Sequence, residues 1–355
     1  MRELDRIRRA LADAHARGQS AMLVTVLGVQ GSVYRGAGAR MVVVGAESIG
    51  AVSGGCLEAD IIARSPDVIA ARRAEVARYD TRASDDVVLG LGLGCQGVID
   101  VLLEPLEGDA LGAAVAFYDR LASAPHPMTL VTVVRGNGVG TRLVLDDAGA
   151  VVEGDEALLA RDGDVVHEEV RPATRLLLCG AGADAMPLAQ LAHSVGFHVT
   201  VVDHRPAFLT AERFPDASAL VQANLSQDAS ALGGRIEIGE HTRAVVMAHS
   251  AVHDRAYLHA MLDAGAGYIG VLGPRRRTME LLGARAMDGE LPANVHAPVG
   301  LDLGAESPEE IALAIIAEIA AVNAGREGGL LRDRRGPIHE RDAGAAVETG
   351  SVSRA

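Results

Sequence analysis

One short segment restricts the fold of this chain more than any other: Gly180-Ala181-Gly182-Ala183-Asp184-Ala185, set between an apolar run at Arg175–Cys179 and a helical pattern at Ala185–Val195. This is a G-x-G-x-x-A loop. Its first glycine allows a tight turn, its second lets a pyrophosphate approach the backbone, and its small last residue lets helix and strand pack closely. The helix that follows offers unpaired N–H groups and a positive dipole end. A second strand, His198–Val202, is closed by Asp203, about twenty residues on, where a carboxylate could accept from a ribose hydroxyl. Together these predict a Rossmann-like domain. The ligand stays open between NAD(P), another nucleotide, and none at all, since a fold does not fix a ligand. Asp184 puts a carboxylate near the phosphate position. His204 and Arg205, directly after Asp203, could meet a terminal phosphate instead.

The same alternation continues downstream. Ala244–Ala248 reads as a strand, Asp254–Ala264 as a helix and Tyr268–Leu272 as a strand, which implies a parallel sheet. Ser307-Pro308-Glu309-Glu310 is a capping box that opens a helix running to about Val322. Upstream the character differs. A helix is expected at Arg2–His15, a buried strand at Ala21–Leu27, and a hairpin at Met41–Val44 and Ile49–Val52. A helix follows from Leu57, with Glu58 and Asp60 placed to complement its dipole. Next come a strand at Val98–Leu103, a helix at Ala110–Ala122, and strands at Met128–Val134 and Thr141–Leu145. Asp155–Glu169 reads as acidic and irregular, and Arg171-Pro172 punctuates it. The expected fold class is therefore α/β: an N-terminal α+β domain over residues 1–170, a Rossmann-like parallel-sheet domain with a C-terminal helix over 171–325, and a disordered tail over 326–355.

Composition excludes several partners. Of 355 residues, 49% are hydrophobic and only 3% aromatic, so the core must be built from Ala, Val, Leu and Ile. A net charge of −14 argues against nucleic acid and against anionic membrane surfaces. No apolar run is long enough to span a bilayer, and the charged start at Met1–Asp5 leads into no signal-type apolar stretch. Three cysteines without a CxxC pair suit a reducing cytoplasm.

All three cysteines lie in glycine-rich turns. Cys56 follows Gly54 and Gly55 at a helix start, where a thiolate is favoured. Cys95 follows Gly94 in a turn that leaves it uncrowded. Either could carry sulfur or bind a soft ligand, or be a small buried hydrophobe. Cys179, inside an expected central strand, reads as core. His249, at a strand end, is a candidate pocket residue. Its spacing from His253 and Asp254 does not make a metal site, and none is expected. Arg275 and Arg276, with Arg277, stand at another strand end, and Arg35 and Arg40 flank an early glycine loop. Guanidinium groups match phosphate or carboxylate, or a partner surface.

At these residues the chain resembles the XdhC/CoxI family, the accessory factors of xanthine dehydrogenase and related molybdenum hydroxylases. The blocks are Gly31–Val33 through Met41, Gly50 through Glu58, Gly90–Cys95, Cys179–Ala185 with Val201–Arg205, Tyr268–Arg277 and His296–Ala305, in family order across nearly the whole chain. The resemblance implies a protein that binds molybdenum cofactor (molybdopterin), supports its sulfuration by a cysteine desulfurase, and hands it to the apo-hydroxylase, as a homodimer. It implies a chaperone rather than a catalyst, and Cys56 or Cys95 would be its acting thiol, with Cys56 favoured by its helix start. The cofactor's phosphate and dithiolene ask for backbone N–H groups, arginines and soft thiolates. The alternatives are an NAD(P)-dependent oxidoreductase using the Gly180 loop, and a docking protein.

Overall fold

The computed structural model describes residues 3–31, 33–55, 57–80, 97–124, 126–161, 164–286 and 289–335. Cys56, Gly94 and Cys95 lie outside the described residues. The described residues divide into two compact units, one from Glu3 to Pro172 and one from Ala173 to Arg335.

The first unit contains α1 (Glu3–Ala16), β1 (Ala21–Gly31), β2 (Arg40–Val44), β3 (Glu47–Gly50), α2 (Glu58–Ala71), β4 (Glu75–Asp80), β5 (Gly97–Leu106), α3 (Gly108–Ser123), β6 (Met128–Val133), β7 (Arg142–Leu145), β8 (Val151–Glu153) and β9 (Val165–Val170). Two antiparallel sheets result, ordered β3-β2-β1-β5-β4 and β8-β7-β6-β9. Successive residues of a strand face opposite sides, and the larger sheet uses both. Met22, Val24, Met41, Val43, Val101 and Leu103 pack with Leu57, Ile61 and Val68 around α2. Leu23 and Val42 face Ile7 and Leu11 of α1 and Leu111 and Tyr118 of α3, in a core shared with Leu130, Val144 and Val170 of the smaller sheet.

Five strands escape the sequence pattern: β4, β8 and β9 here, and the short strands at Ala219–Gln222 and Val295–His296 further on. β4 is an edge strand with charged, half-exposed positions. β9 lies in the segment expected to be irregular; its acidic residues disguise the alternation because Glu168 turns inward to an arginine rather than outward to water.

The second unit contains β10 (Arg175–Cys179), α4 (Ala185–Ser194), β11 (His198–Asp203), β12 (Ala219–Gln222), β13 (Thr242–Val246), α5 (Ala251–Asp263), β14 (Tyr268–Val271), α6 (Arg275–Leu282), β15 (Val295–His296) and α7 (Pro308–Asn323). The six parallel strands run β12-β11-β10-β13-β14-β15. Counted from β10 this is the order 3-2-1-4-5-6 of the dinucleotide-binding doubly wound sheet, with its switch point between β10 and β13. Leu176, Leu178, Val199, Val201 and Val245 pack with α4 and α7, while Leu177, Cys179, Val202 and Val246 pack with α5 and α6. The Ser307–Glu310 capping box forms at the start of α7. The arginines at 275–277 form the first turn of α6, because Pro274 stands as N-cap in extended backbone and releases the chain into a helix. Past the expected start of the tail, Gly328 sits against the Leu301 side chain and a 3-10 turn forms at Leu331–Asp333. Among the described residues no helix is long and apolar enough to cross a membrane.

Candidate functional site

The carboxyl edge of the parallel sheet gathers most of the second unit's candidate residues. Gly180 has φ +126°, and a Cβ there would stand 2.6 Å from the carbonyl oxygen of Met247 and 2.7 Å from the backbone of Ala248. Only glycine lets the exit of β10 lie on the exit of β13. Gly182 is different: a Cβ would meet only the imidazole of His249, at 3.6 Å, which is ordinary contact. His249 itself has φ +55°, a strained setting for a non-glycine residue. Its Nε2 lies 3.0 Å from Oδ2 of Asp184. Asp184 stands at the N-cap of α4, yet its side chain caps nothing there.

Asp203 is fully buried. It accepts from the backbone N–H of Ala181 at 2.7 Å, the backbone N–H of Arg205 at 2.8 Å, and Arg205 Nε and Nη2 at 2.9 and 2.8 Å. Burial works to raise its pKa, but the hydrogen bonds from Arg205 and Ala181 prevail and hold it at about 2. The group expected to take a ribose hydroxyl thus holds the glycine loop. Arg205, expected to reach out to a phosphate, folds back onto it. His204 stacks on His253 with ring centroids 3.8 Å apart, and burial, then the neighbouring ring, lowers its pKa. Cys179 is buried in the sheet, where desolvation, with Asp254 adding to it, pushes its thiol up, away from the nucleophilic thiolate.

Of the three adjacent arginines, Arg275 pairs with Glu290 at 2.7 Å and Arg276 with Glu280 at 3.1 Å, both on the surface. Arg277 instead works inside. It donates to the carbonyl of Leu272 at 3.1 Å and to the buried carboxylate of Asp254. Asp254 in turn accepts from Ala248 N–H at 2.8 Å, tying the ends of β13 and β14 together. Among the described residues no His, Cys, Asp and Glu cluster could hold a metal ion.

In the first unit, three connections leave from one end of the five-stranded sheet. Gly31 pairs with Gly97, Gly50 with Met41 and Asp80 with Val98, so the β1–β2, β3–α2 and β4–β5 links share that end. The described residues flanking Cys56 and following Cys95 are therefore brought to the same edge. Ser53 and Glu58 organise the middle link. Glu58 accepts from the N–H groups of Val52 at 3.1 Å and Ser53 at 2.7 Å, and from the Ser53 hydroxyl. Burial would raise Glu58, but these bonds hold it below the ordinary carboxylate range. Ser53 Oγ accepts from Gly55 N–H at 3.2 Å and Leu57 N–H at 3.1 Å. Glu58 therefore clamps the turn rather than merely complementing a helix dipole, a role that its spacing from Ser53 could have suggested. Gly55 has φ +108° and, among the described residues, nothing within 4 Å of a would-be Cβ, and Gly54 lies under the ring of the exposed Tyr34.

The two arginines of this edge are engaged elsewhere. Arg35 pairs with Glu3 of α1. Arg40, 5% exposed, makes a two-pronged bond to Glu168 of β9 at 2.8 and 2.6 Å and a third to the carbonyl of Gly38 at 2.9 Å. Bidentate geometry is what a guanidinium makes with a carboxylate; here the carboxylate is the protein's own, and the pair joins the two sheets.

Residues 14–80 match the family described as XdhC and CoxI, and residues 176–319 match the XdhC Rossmann domain. The chain is 34% identical over 317 residues to a probable xanthine dehydrogenase subunit of Bacillus subtilis (strain 168), covering 85% of this chain and 92% of that one. It is 25% identical over 334 residues to the molybdenum cofactor insertion chaperone PaoD of Escherichia coli (strain K12), covering 90% and 89%. A Bacillus halodurans crystal structure described as a xanthine dehydrogenase superposes with a TM-score of 0.79 at 29% identity, over 92% of this chain and 97% of that one. The likeness runs through both units and takes in nearly the full length of each relative, and by it the chain belongs to the XdhC and CoxI family.

Proposed function

We propose that this protein is an accessory factor in the maturation of xanthine dehydrogenase-type molybdenum hydroxylases. It binds molybdenum cofactor, supports its sulfuration in concert with a cysteine desulfurase, and inserts it into the apoenzyme, acting in the cytoplasm as a homodimer. The observation that carries this reading is the near full-length likeness to a molybdenum cofactor insertion chaperone across both units. The described edge of the first unit suits such a ligand at the backbone. Among the described residues nothing fills the space beside Gly55, and Ser53 and Glu58 fix the turn by hydrogen bonds, which suits a backbone contact with an anionic ring system. Gly54 and Gly55 would hold the cofactor by backbone contact, with Cys56 and Cys95 as the thiols. Arg35 and Arg40 are taken by Glu3 and Glu168 and would not. Bound in the hydroxylase, the cofactor supplies the redox-active molybdenum. The NAD(P)-dependent oxidoreductase reading has less support, because Asp203 has its oxygens occupied.

The test is anaerobic purification of the full chain under reducing conditions, with mass spectrometry of what it carries. Molybdopterin is expected on the wild type and is expected to be lost when Cys56 and Cys95 are both replaced by serine. Cofactor binding and hydroxylase activation that survive the double replacement would remove the thiol role. A wild type that carries no molybdopterin and leaves hydroxylase molybdenum content unchanged would remove the reading itself.

A further inference from the structure

The second unit is built on the plan of a dinucleotide site, yet its polar groups are turned on one another. In such sites the carboxylate closing the second strand accepts from ribose hydroxyls. Asp203 holds that position at the end of β11, beside the glycine loop. A carboxylate offers about four lone-pair sites, and four donors fill them here. Oδ2 takes Ala181 N–H and Arg205 Nη2, and Oδ1 takes the N–H and Nε of Arg205. Arg205 is held a second way, with its guanidinium 3.9 Å from the centroid of the Phe208 ring. Arg213 lies over the same ring at 5.1 Å and donates to the carbonyl of Ala181 at 3.0 Å. On the phosphate side, Asp184 sits within the loop and is paired with His249, beside Gly182.

We propose that Arg205 is a built-in plug, its guanidinium occupying the ribose-diol position on Asp203, and that it is the specificity-determining residue that closes this crevice to nucleotides with free ribose hydroxyls. The same atoms that would recognise the diol are used to fix the loop, so the unit is a closed scaffold with the outline of a nucleotide site. Aromatic packing and a two-pronged ion pair hold the plug at once, and a ligand must break both. A neutral diol brings no charge to replace the guanidinium on Asp203, which stays buried and ionised. This inference is independent of the maturation reading: molybdopterin binding succeeds or fails in its own assay whatever Arg205 does.

The experiment is isothermal titration of the full chain with NAD+, AMP and 2′-deoxy-AMP. The wild type is expected to show no saturable binding of any of them. Arg205→Met keeps an apolar side chain against Phe208 but removes the two guanidinium donors from Asp203, leaving the backbone N–H groups of Ala181 and residue 205 in place. It is expected to bind AMP and NAD+ at least about tenfold more tightly than the wild type, the worth of a hydrogen bond to a charged group, with no gain for 2′-deoxy-AMP. Wild-type protein that binds NAD+ as tightly as the variant overturns the plug, as does a gain shared equally by 2′-deoxy-AMP, or no gain at all. Should Arg205→Met melt below the assay temperature, Arg205→Lys, which retains one donor in place of the fork, is read instead; a smaller gain with the same 2′-OH dependence supports the plug, and no gain overturns it.

Discussion

The Gly180 loop and the Ser53–Glu58 turn look alike on paper, each a pair of glycines after a strand and before a helix, but the two turns use glycine for opposite reasons. At Gly180 the missing Cβ is filled by the protein's own backbone, since Met247 and Ala248 press within 2.7 Å of where it would be. At Gly55 the conformation is equally left-handed, at φ +108°, yet no described residue fills the space beside it. Glycine serves internal packing in one case and leaves the backbone approachable in the other. A comparison of alanine replacements breaks the likeness most forcefully. Gly180→Ala combines a disallowed φ with a backbone clash and is expected to cost about 5 kcal/mol, enough to leave the second unit largely unfolded. Gly55→Ala carries only the conformational strain, about 1–2 kcal/mol. Urea unfolding followed by circular dichroism measures both; a Gly180→Ala protein with wild-type stability would show that the strand exits are not in contact.

The units also differ in where they bury charge. In the first unit the buried ion pairs join sheet to sheet: Arg40 of β2 to Glu168 of β9, and Arg142 of β7 to Glu104 of β5. In the second they sit at strand ends and fix loops: Asp203 with Arg205, and Asp254 with Arg277. The pairs of the first unit are thus part of its core, and breaking one strands a charge in it. Glu168→Ala leaves Arg40 buried without its fork partner. It should destabilise by about 3–4 kcal/mol, the usual cost of removing one member of a buried pair. Glu168→Ala with Arg40→Met should recover much of that loss, because the pair of apolar side chains leaves no unpaired charge. A double replacement as unstable as the single one would show that the joint depends on the ion pair's geometry rather than on its neutrality.

How much of this was legible beforehand follows from the same contrast. Alternation of strands and helices, and a glycine loop aligned with Asp203, are local signals, and they foretold the parallel sheet. β9 was hidden because Glu168 and Glu169 broke the apolar pattern, and only the distant Arg40 explains why one of them is inward. The arginines at 275–277 read only as charge at a strand end because proline and charge dominate locally, whereas Thr278, Leu281 and Leu282 bury the other face of α6. Candidate residues stand out by chemical type, and type does not reveal whether a neighbour has already claimed the group. Arg40, Arg35, Asp203 and Arg205 all meet partners within the protein. For Asp203 the partner Arg205 stands two positions on; for Arg40 the partner is 128 positions away.

The mildest of these tests separates the loop-fixing role of buried charge from the sheet-joining one by its pH dependence. Asp203 is held at about 2, below its ordinary 3.8, by Arg205 and Ala181. A depressed folded-state pKa means that the carboxylate's contribution is fully present above about pH 4 and is lost as pH falls through about 2. That difference corresponds to about 2 kcal/mol at neutral pH. Asp203→Asn keeps the shape and one acceptor but faces Arg205 with no charge. It should lose about that much stability at pH 7 and flatten the acid limb of the second unit's unfolding between about pH 4 and 2. An unchanged acid limb in the variant would mean that Arg205 and the loop are held by the Phe208 stack and backbone packing alone, and that Asp203 contributes geometry but no charge.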